Sequence, residues 1–353
     1  MDAWEDYFST LRCIECRQPL DLVHDSEAFS YCPSVNRMLV CSCGRKYPLF
    51  QDIPIMFKDE DRTRLLLDSS EYDAKLQEAQ TKMQEASQLT GKELLDLKQE
   101  GNLADALTWE ILFWEKWSQY GKGFAEWTRE RREEYLKVHD EGGGKAEFIR
   151  RTLALGGRGR LLNIGAGPDW IMECFLEEGL EVVEQDIVLK SLLLLKSRGA
   201  SFCVCCDGRT LPFADDTFDV STAFGVLHHI WPLDEPLSEL LRVTSGIIHC
   251  NEPNSLALTS AGLYLPGPLK RKLKNWYSGD YSHSPYEKSI NPYAFKKIVK
   301  GCGGKIVDMH FPRSSWISGK SIGFKKWIRK LNLLLLHILP FISSHFDIVI
   351  RKA

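Results

Sequence analysis

Short apolar runs alternate with amphipathic stretches along the second half of the chain. The apolar runs have the length of buried strands and lie at 160–164, 181–184, 202–206, 219–224 and 246–250. Helical spacing of the apolar positions occupies the stretches at 145–155, 170–178, 189–196 and 236–242. Strands separated by helices of this length predict an α/β fold with a parallel, doubly wound sheet.

The first half of the chain has a different pattern. Residues 1–58 contain closely spaced cysteines and many turn residues, whereas 59–141 is rich in Glu, Lys, Gln and Leu and predicts a helical linker or cap. The glycine triplet at 142–144 interrupts the helical pattern. We therefore expect three parts, at 1–58, 59–141 and 142–353.

Composition and charge narrow the function classes. The formal net charge of −3 does not favour tight, sequence-independent binding to nucleic acid. The longest apolar run, at 331–342, is shorter than the roughly 20 residues that a membrane-spanning helix needs. The chain opens without the apolar segment of a signal peptide, so we expect a cytoplasmic protein whose 11 cysteines are reduced thiols and metal ligands.

A glycine-rich turn follows the first predicted strand of the parallel sheet. Gly165, Ala166 and Gly167 would let the backbone approach a ligand closely at the carboxyl edge of the sheet. A dinucleotide fingerprint requires a third glycine where Trp170 stands, and Asp169 would repel a pyrophosphate. A zwitterionic sulfonium cofactor without phosphate tolerates that carboxylate, which favours S-adenosylmethionine over a nicotinamide dinucleotide.

Two further carboxylates follow the next two strands. Asp186 can accept hydrogen bonds from both ribose hydroxyls, a role compatible with its alternative as the N-cap of the next helix. Asp207 can accept from the exocyclic amine of adenine; its alternative is a turn-forming residue before Gly208. We assign Ile187, Gly208 and Phe224 to the same cofactor site.

Residues 145–310 resemble the class I S-adenosylmethionine-dependent methyltransferases, in particular the enzymes of ubiquinone and menaquinone biosynthesis. The matching segments are 163–168, Asp186, 206–213, 216–230 and 251–254. The resemblance implies a Rossmann-like, seven-stranded sheet with helices on both faces and a reversed last strand. The residues at 346–351 are expected to form that last strand, after a strand at 305–311.

The chain departs from the family pattern at two positions. Asn163 stands where the family usually has Asp or Glu, and Asp169 where it usually has glycine. The first change removes a negative charge near the amino-acid end of the cofactor, and the second is expected to restore one.

Candidate bases follow the fourth and fifth strands. His228 and His229 lie at the same edge of the sheet as the glycine turn, and an imidazole can remove a proton near neutral pH. Adjacent residues that leave a strand point in different directions, so we expect one of the two to face the acceptor. The alternative is a structural histidine; Glu252 is a second candidate base.

The cysteines of the N-terminal segment predict a zinc ribbon. Cys13 and Cys16 form a Cys-x-x-Cys pair, and Cys41 and Cys43 a Cys-x-Cys pair. Four thiolates in two close pairs suit one tetrahedral structural zinc; Cys32 is an alternative ligand, and reduced thiols without metal are the other interpretation. The segment resembles the small zinc-ribbon family of methyltransferase activators, especially at 44–48 and 52–56.

Three hypotheses for function follow. The first is an enzyme that methylates an oxygen or nitrogen atom of a small-molecule, glycan or lipid-linked acceptor. Segments 263–277 and 323–342 mix Lys and Arg with aromatic residues and Leu, which suits either peripheral contact with the inner membrane surface or ordinary packing on the sheet. The second is an RNA methyltransferase whose ribbon grips RNA, and the third a non-catalytic regulatory relative.

Overall fold

The structure is a computed structural model, and it describes residues 3–24, 32, 35–67, 74–75, 110–111, 128–138, 144–156, 159–257, 289–312, 339, 341 and 343–353. These residues exclude most of the predicted helical cap at 59–141. They also exclude the segment at 263–277 and nearly all of the segment at 323–342. Within the part of the chain described, no helix is long and apolar enough to cross a membrane.

Helices and strands alternate along the second half of the chain, as the hydrophobic pattern predicts. The strands are β1 (Leu20–His24), β2 (Arg37–Cys41), β3 (Lys46–Phe50), β4 (Ile53–Met56), β5 (Arg160–Ile164), β6 (Glu181–Asp186), β7 (Phe202–Cys206), β8 (Phe218–Phe224), β9 (Thr244–Pro253), β10 (Gly304–His310) and β11 (His345–Lys352). The α-helices are α1 (Ala3–Thr10), α2 (Glu60–Leu67), α3 (Arg129–Val138), α4 (Gly144–Gly156), α5 (Ile171–Glu177), α6 (Leu189–Ser197), α7 (Asp234–Val243) and α8 (Pro292–Gly301).

Seven strands form the predicted Rossmann-like sheet in the order β7-β6-β5-β8-β9-β11-β10. The strands from β7 to β9 are parallel, and β11 runs antiparallel to both β9 and β10. The reversed last strand that the resemblance implies is therefore confirmed. Because all the parallel strands end at one edge, the loops that follow them meet there.

The sheet does not stop at seven strands. β4 pairs in parallel with β7, with Ile55 opposite Cys205 and Met56 opposite Cys206. β1, β2 and β3 continue outward from β4, each antiparallel to its neighbour, so the sheet contains 11 strands among the described residues. The expected count of seven is thus correct for the methyltransferase-like part alone, because the N-terminal ribbon extends its edge.

Alternate residues of the parallel strands enter two separate apolar cores, one on each face of the sheet. On one face, Leu162 and Val183 pack with residues of α7 and α8. On the other face, Leu161 and Val182 pack with α5 and α6. The expected helices on both faces of the sheet are therefore confirmed.

Candidate active site and metal centre

The glycine turn after β5 forms a tight cradle. Gly165 and Gly167 have φ values of +61° and +58°, a region that L side chains rarely adopt. A Cβ atom on Gly165 would overlap the Val226 side chain, whereas one on Gly167 would find only the Gly165 carbonyl oxygen, at 4.0 Å. Ala166 donates its backbone N–H to the Gln185 carbonyl oxygen over 3.0 Å. The turn is therefore fixed against β6 and leaves open space beside Gly167, as a ligand cradle requires.

Asp186 ends β6 beside this cradle. Its carboxylate accepts the backbone N–H groups of Gly167 at 2.7 Å and Val188 at 2.8 Å, and the residue is 6% exposed. Burial raises the pKa of Asp186 to about 6, although backbone hydrogen bonds oppose the shift. At neutral pH the group is an oriented carboxylate that has further lone pairs for ribose hydroxyls. Ile187, half-buried, follows it.

Asp207 follows β7 and is held by Arg209. The Arg209 Nε atom lies 3.1 and 3.0 Å from the two carboxylate oxygens, and its Nη2 atom lies 2.6 Å from one of them. Arg209 also donates to the Trp231 carbonyl oxygen. Adenine would have to share or displace these contacts. Gly208 is confined by the Ile230 side chain, since a Cβ there would lie 2.9 Å from Ile230 Cδ1.

Asn163 is part of a buried polar row across the sheet. Its Nδ2 atom donates to Glu184 Oε2 at 2.8 Å, and its Oδ1 atom accepts from Thr222 Oγ1 at 3.0 Å. Burial raises the pKa of Glu184 to about 8, against the opposing hydrogen bond from Asn163. The carboxyl group is therefore mostly neutral at pH 7, and this row supports the strand ends without adding a full negative charge.

Asp169 does not add an unbalanced negative charge to the cradle. Its carboxylate forms an ion pair with Lys145 Nζ and also accepts the Trp170 backbone N–H. Lys145 Nζ lies 5.4 Å from the Trp170 ring centre and 5.7 Å from that of Phe224, which ends β8. Asp169 thus places a carboxylate beside the cradle, and Lys145 is its counter-ion.

His228 and Glu252 form a hydrogen-bonded pair next to the cradle. His228 Nδ1 lies 2.8 Å from Glu252 Oε2. The same carboxylate accepts the backbone N–H groups of Val226, Leu227 and His228 at 3.2, 2.8 and 3.2 Å. Glu252 has no exposed surface, so it orients His228 and the loop, and the expectation that it acts directly as a base does not fit this geometry.

His229 occupies a different environment from its neighbour. Its Nδ1 atom lies 3.3 Å from Glu110 Oε2, and its ring centre is 4.0 Å from that of His228. The two imidazoles thus have separate carboxylate partners, as expected for adjacent residues that point in different directions. The Glu252 carboxylate also accepts the backbone N–H of His228, whereas the backbone N–H of His229 donates to the Val226 carbonyl oxygen at 2.9 Å.

The four predicted zinc ligands come together. The thiol groups of Cys13, Cys16, Cys41 and Cys43 all lie within 4.8 Å of one another. The Sγ atoms of Cys13 and Cys43 are 3.7 Å apart, and those of Cys16 and Cys41 are 3.3 Å apart. Tetrahedral zinc with Zn–S bonds of about 2.3 Å requires sulfur atoms roughly 3.8 Å apart, so the donor set fits.

Cys32 lies apart from the four-thiol cluster. It packs in a small apolar group with Val35 and Met38. The structure therefore favours Cys13, Cys16, Cys41 and Cys43 as the ligands over the alternative in which Cys32 replaces one of them.

The zinc ribbon contacts the loop that carries Asp207. Arg17, next to Cys16, donates to the Leu211 carbonyl oxygen at 2.8 Å and to Glu239 Oε2 at 2.9 Å. Glu239 in turn accepts the Leu211 backbone N–H at 2.8 Å. Arg12 donates its backbone N–H to the Pro212 carbonyl oxygen. The first cysteine knuckle thus fixes the loop immediately after the candidate adenine site.

Sequence reasoning missed four residues of this site: Lys145, Arg17, Glu184 and Arg209. Arg209 stands only two positions after Asp207, and this short spacing could have indicated that the two side chains interact. The partner of Lys145 is 24 positions away and that of Arg17 is 222 positions away, and such pairs become visible only in the fold.

Comparisons with known proteins agree with this geometry. Residues 162–246 match the family described as "Methyltransferase domain". The demethylmenaquinone methyltransferase of Renibacterium salmoninarum is 35% identical over 86 residues, which are 24% of this chain and 36% of that protein. That of Corynebacterium urealyticum is 35% identical over 95 residues, or 27% of this chain and 41% of that protein. The chain thus matches well under half the length of these relatives.

A solved structure resembles a larger share of the chain. One chain of the complex that contains the Haloferax volcanii Trm112 methyltransferase activator aligns with 68% of this chain and 97% of its own length, at 10% identity and a TM-score of 0.48. The assignment rests on the matched segment, the strand order and the glycine cradle. The chain therefore contains a methyltransferase domain of the S-adenosylmethionine-dependent kind.

Proposed function

We propose that this protein transfers a methyl group from S-adenosylmethionine to an oxygen or nitrogen atom of a small-molecule, glycan or lipid-linked acceptor. The observation that carries the proposal is the His228–Glu252 pair at the cradle. The Val226 side chain fills the position that a Cβ atom on Gly165 would occupy. The loop that holds His228 therefore packs directly on the cofactor cradle. Such an arrangement suits an acceptor that must lose a proton as it is methylated.

The residues along the sheet edge match the order of groups in the cofactor. Asp207, Asp186 and the glycine cradle follow the neighbouring strands β7, β6 and β5. They would contact adenine, ribose and the amino-acid portion in that order, and Phe224 at the end of β8 would border the last. When bound, S-adenosylmethionine supplies an electrophilic methyl group on a sulfonium; the chain supplies position and a dry environment.

His228 is proposed as the general base. A proton on Nδ1, donated to Glu252, makes Nε2 the basic nitrogen, which would take the proton of the acceptor hydroxyl or amine. Glu252 also favours the imidazolium that forms, because its carboxylate is 2.8 Å from Nδ1. Glu252 is a positioning residue in this scheme.

The zinc ribbon is proposed to be structural. Its four thiolates leave no open coordination position, and closed sites of this kind contribute folding free energy. Residues 1–58 contain six Lys and Arg against eight Asp and Glu, a charge balance that does not favour binding of the ribbon to RNA. Arg17, Arg37 and Arg45 pair with Glu239, Asp52 and Glu15. These pairs favour a small or lipid-linked acceptor over RNA.

We propose a cytoplasmic location, with peripheral membrane contact through 263–277 and 323–342.

Labelling with S-adenosylmethionine that carries a labelled methyl group tests the proposal. Purified protein is incubated with this donor and a bacterial lysate, and the RNA, protein, lipid and small-molecule fractions are separated. Label in the lipid or small-molecule fraction, absent with His228→Gln, is expected. Label in the RNA fraction would show that the acceptor is RNA and would contradict the proposed acceptor class. No label in any fraction would favour the non-catalytic relative.

A further inference from the structure

The solvent-facing side of α8 carries a cluster of lysines. Four side chains of this helix fall within about 100° of its circumference, and together they form the basic face of α8: Tyr293, Lys296, Lys297 and Lys300. Lys297 and Lys300 are exposed, and Lys296 is half-buried with its Nζ atom 5.7 Å from the Tyr293 ring centre. The opposite side of the helix packs into the core, where Phe295 has no exposed surface.

Acidic side chains do not balance the charge of the basic face. In the part of the chain that the structure describes, no carboxylate forms an ion pair with any of its three lysines. The sequence has no Asp or Glu between Glu287 and Asp308. Basic residues of four other helices, in contrast, form ion pairs: Arg132 in α3, Arg151 in α4, Lys196 in α6 and Arg242 in α7.

Like charges are neighbours on the basic face. Lys296 and Lys300 are four residues apart and Lys297 and Lys300 are three, which are the spacings at which side chains meet along a helix. Like charges at these spacings destabilise a helix, and α8 contains no acidic residue that would offset them. An anionic surface that contacts all three lysines would relieve this repulsion.

The helix begins at the edge of the sheet that carries the proposed base. Ile290 donates its backbone N–H to the Pro253 carbonyl oxygen at 2.9 Å, and Asn291 is the N-cap of α8. Pro253 directly follows Glu252, which pairs with His228. The first turn of α8 is therefore tied to the strand end that carries Glu252.

Two features favour a lipid surface over RNA as the partner of the basic face. First, α8 packs on β10, since a Cβ atom on Gly304 would lie 2.9 Å from Val299 Cγ1. β10 and β1 are the two outer strands of the sheet, so α8 and the ribbon are at opposite ends. Second, Tyr293 is 51% exposed, and tyrosine is enriched at membrane–water interfaces because its ring is apolar and its hydroxyl polar.

We propose that the basic face of α8 binds the anionic headgroups of a lipid surface, an inference that rests on the proposed methyl transfer and narrows its acceptor to the lipid-linked class. A lysine near an anionic leaflet contributes about a fivefold gain in affinity. Docking through α8 brings the sheet edge with His228 and Glu252 towards the surface that would hold a lipid-linked acceptor.

Sedimentation with vesicles tests this surface in the whole, unaltered chain. Vesicles of phosphatidylcholine alone are compared with vesicles that also contain phosphatidylserine. Binding to the anionic vesicles alone, weakened by added salt, is expected because salt screens the attraction. No binding to the anionic vesicles, or equal binding to both kinds, would overturn the lipid surface. Titration of the same protein with S-adenosylmethionine tests the proposed methyl transfer separately.

Two double variants assign the binding to α8. Lys297→Gln combined with Lys300→Gln is expected to bind anionic vesicles about 20-fold more weakly. The matched control, Lys58→Gln combined with Lys137→Gln, removes the same charge from exposed positions elsewhere and is expected to keep the affinity of the unaltered protein. Thermal unfolding confirms that both are folded.

Three results would contradict the assignment to α8. Equal losses in both double variants would show an attraction that depends on net charge alone. Equal retention in both would show that the vesicles contact another part of the chain. Displacement of the vesicles by a single-stranded RNA that binds more tightly, and only when Lys297 and Lys300 are present, would assign the basic face to nucleic acid.

Discussion

Buried carboxyl groups support the edge of the sheet at Glu184, Asp186 and Glu252. Each is held differently: Glu184 by a side-chain amide, Asp186 by backbone N–H groups, and Glu252 by backbone N–H groups and an imidazole. Burial raises the pKa of Glu184 to about 8 and that of Asp186 to about 6, and the shift is opposed by one side-chain amide at Glu184 and by backbone N–H groups at Asp186. The protonation of Glu184 therefore differs from that of Asp186 at neutral pH.

Glu184→Gln tests the neutral state of that group. In the native protein its pKa is about 8 instead of the usual 4.5, so the native state keeps a proton that the unfolded chain has released between these values. The stability of the unaltered protein consequently falls as pH rises, by up to roughly 1.4 kcal/mol per pH unit, and the glutamine variant lacks this loss. Urea unfolding at pH 5 to 8 should show the variant gaining relative stability with rising pH. The exposed Glu178→Gln is the control. A difference that stays constant with pH would refute the assignment.

Cofactor affinity should depend on the ionisation of Asp186. With a pKa of about 6, raised by burial, the carboxylate is ionised at pH 7.5 and increasingly protonated below pH 6. Protonation removes acceptor capacity for the ribose, so affinity for S-adenosylhomocysteine should fall severalfold between pH 7.5 and 5.5. Titration calorimetry over this range measures the effect. A flat profile would show that Asp186 does not hold the ribose.

His228→Gln should separate catalysis from binding. Removal of a general base typically lowers kcat by about 10²- to 10⁴-fold, whereas the cofactor contacts are left in place. The labelling rate should fall while affinity for S-adenosylhomocysteine changes little. His229→Gln serves as the matched comparison. Loss of labelling in His229→Gln alone would transfer the role of base to that residue.

At the scale of elements, the ribbon and the methyltransferase-like sheet form one structure. β4 pairs with the last two residues of β7, directly before Asp207, and the first cysteine knuckle holds the loop after it. The four-cysteine cluster is thus connected to both sides of a candidate cofactor residue. Because a closed site of four thiolates contributes folding free energy when its metal is bound, loss of the metal should loosen these contacts.

Cysteine variants test this connection. Cys43→Ser should reduce bound zinc from one ion per chain, lower the melting temperature by several degrees, and weaken cofactor affinity. Cys32→Ser should keep the metal, since Cys32 lies in a separate apolar group. Metal analysis and thermal unfolding of both proteins provide the measurement. Metal retained by Cys43→Ser and lost by Cys32→Ser would reverse the assignment of ligands.

At the scale of the whole molecule, alternation of apolar runs and the family resemblance predict the parallel strands, their helices and the reversed strand at 346–351. They do not predict the junction of β4 with β7, because that pairing joins residues 150 positions apart and requires knowledge of register. The contacts of Asp169 with Lys145 and of Asn163 with Glu184 could not be predicted either, because they also join residues distant in the sequence. Local sequence motifs identify the loops of the candidate site. Which charged side chains pair with one another in those loops depends on the fold.

Direct titration with S-adenosylmethionine tests whether the edge of the sheet at Asp186 binds this cofactor. We expect one site per chain in the unaltered protein, and an affinity at least about tenfold weaker in Asp186→Asn, which preserves the shape of the side chain. Thermal unfolding confirms that both proteins are folded. Absence of binding by the folded, unaltered protein, or equal affinity in the variant, would contradict the cofactor site and the methyl transfer that depends on it.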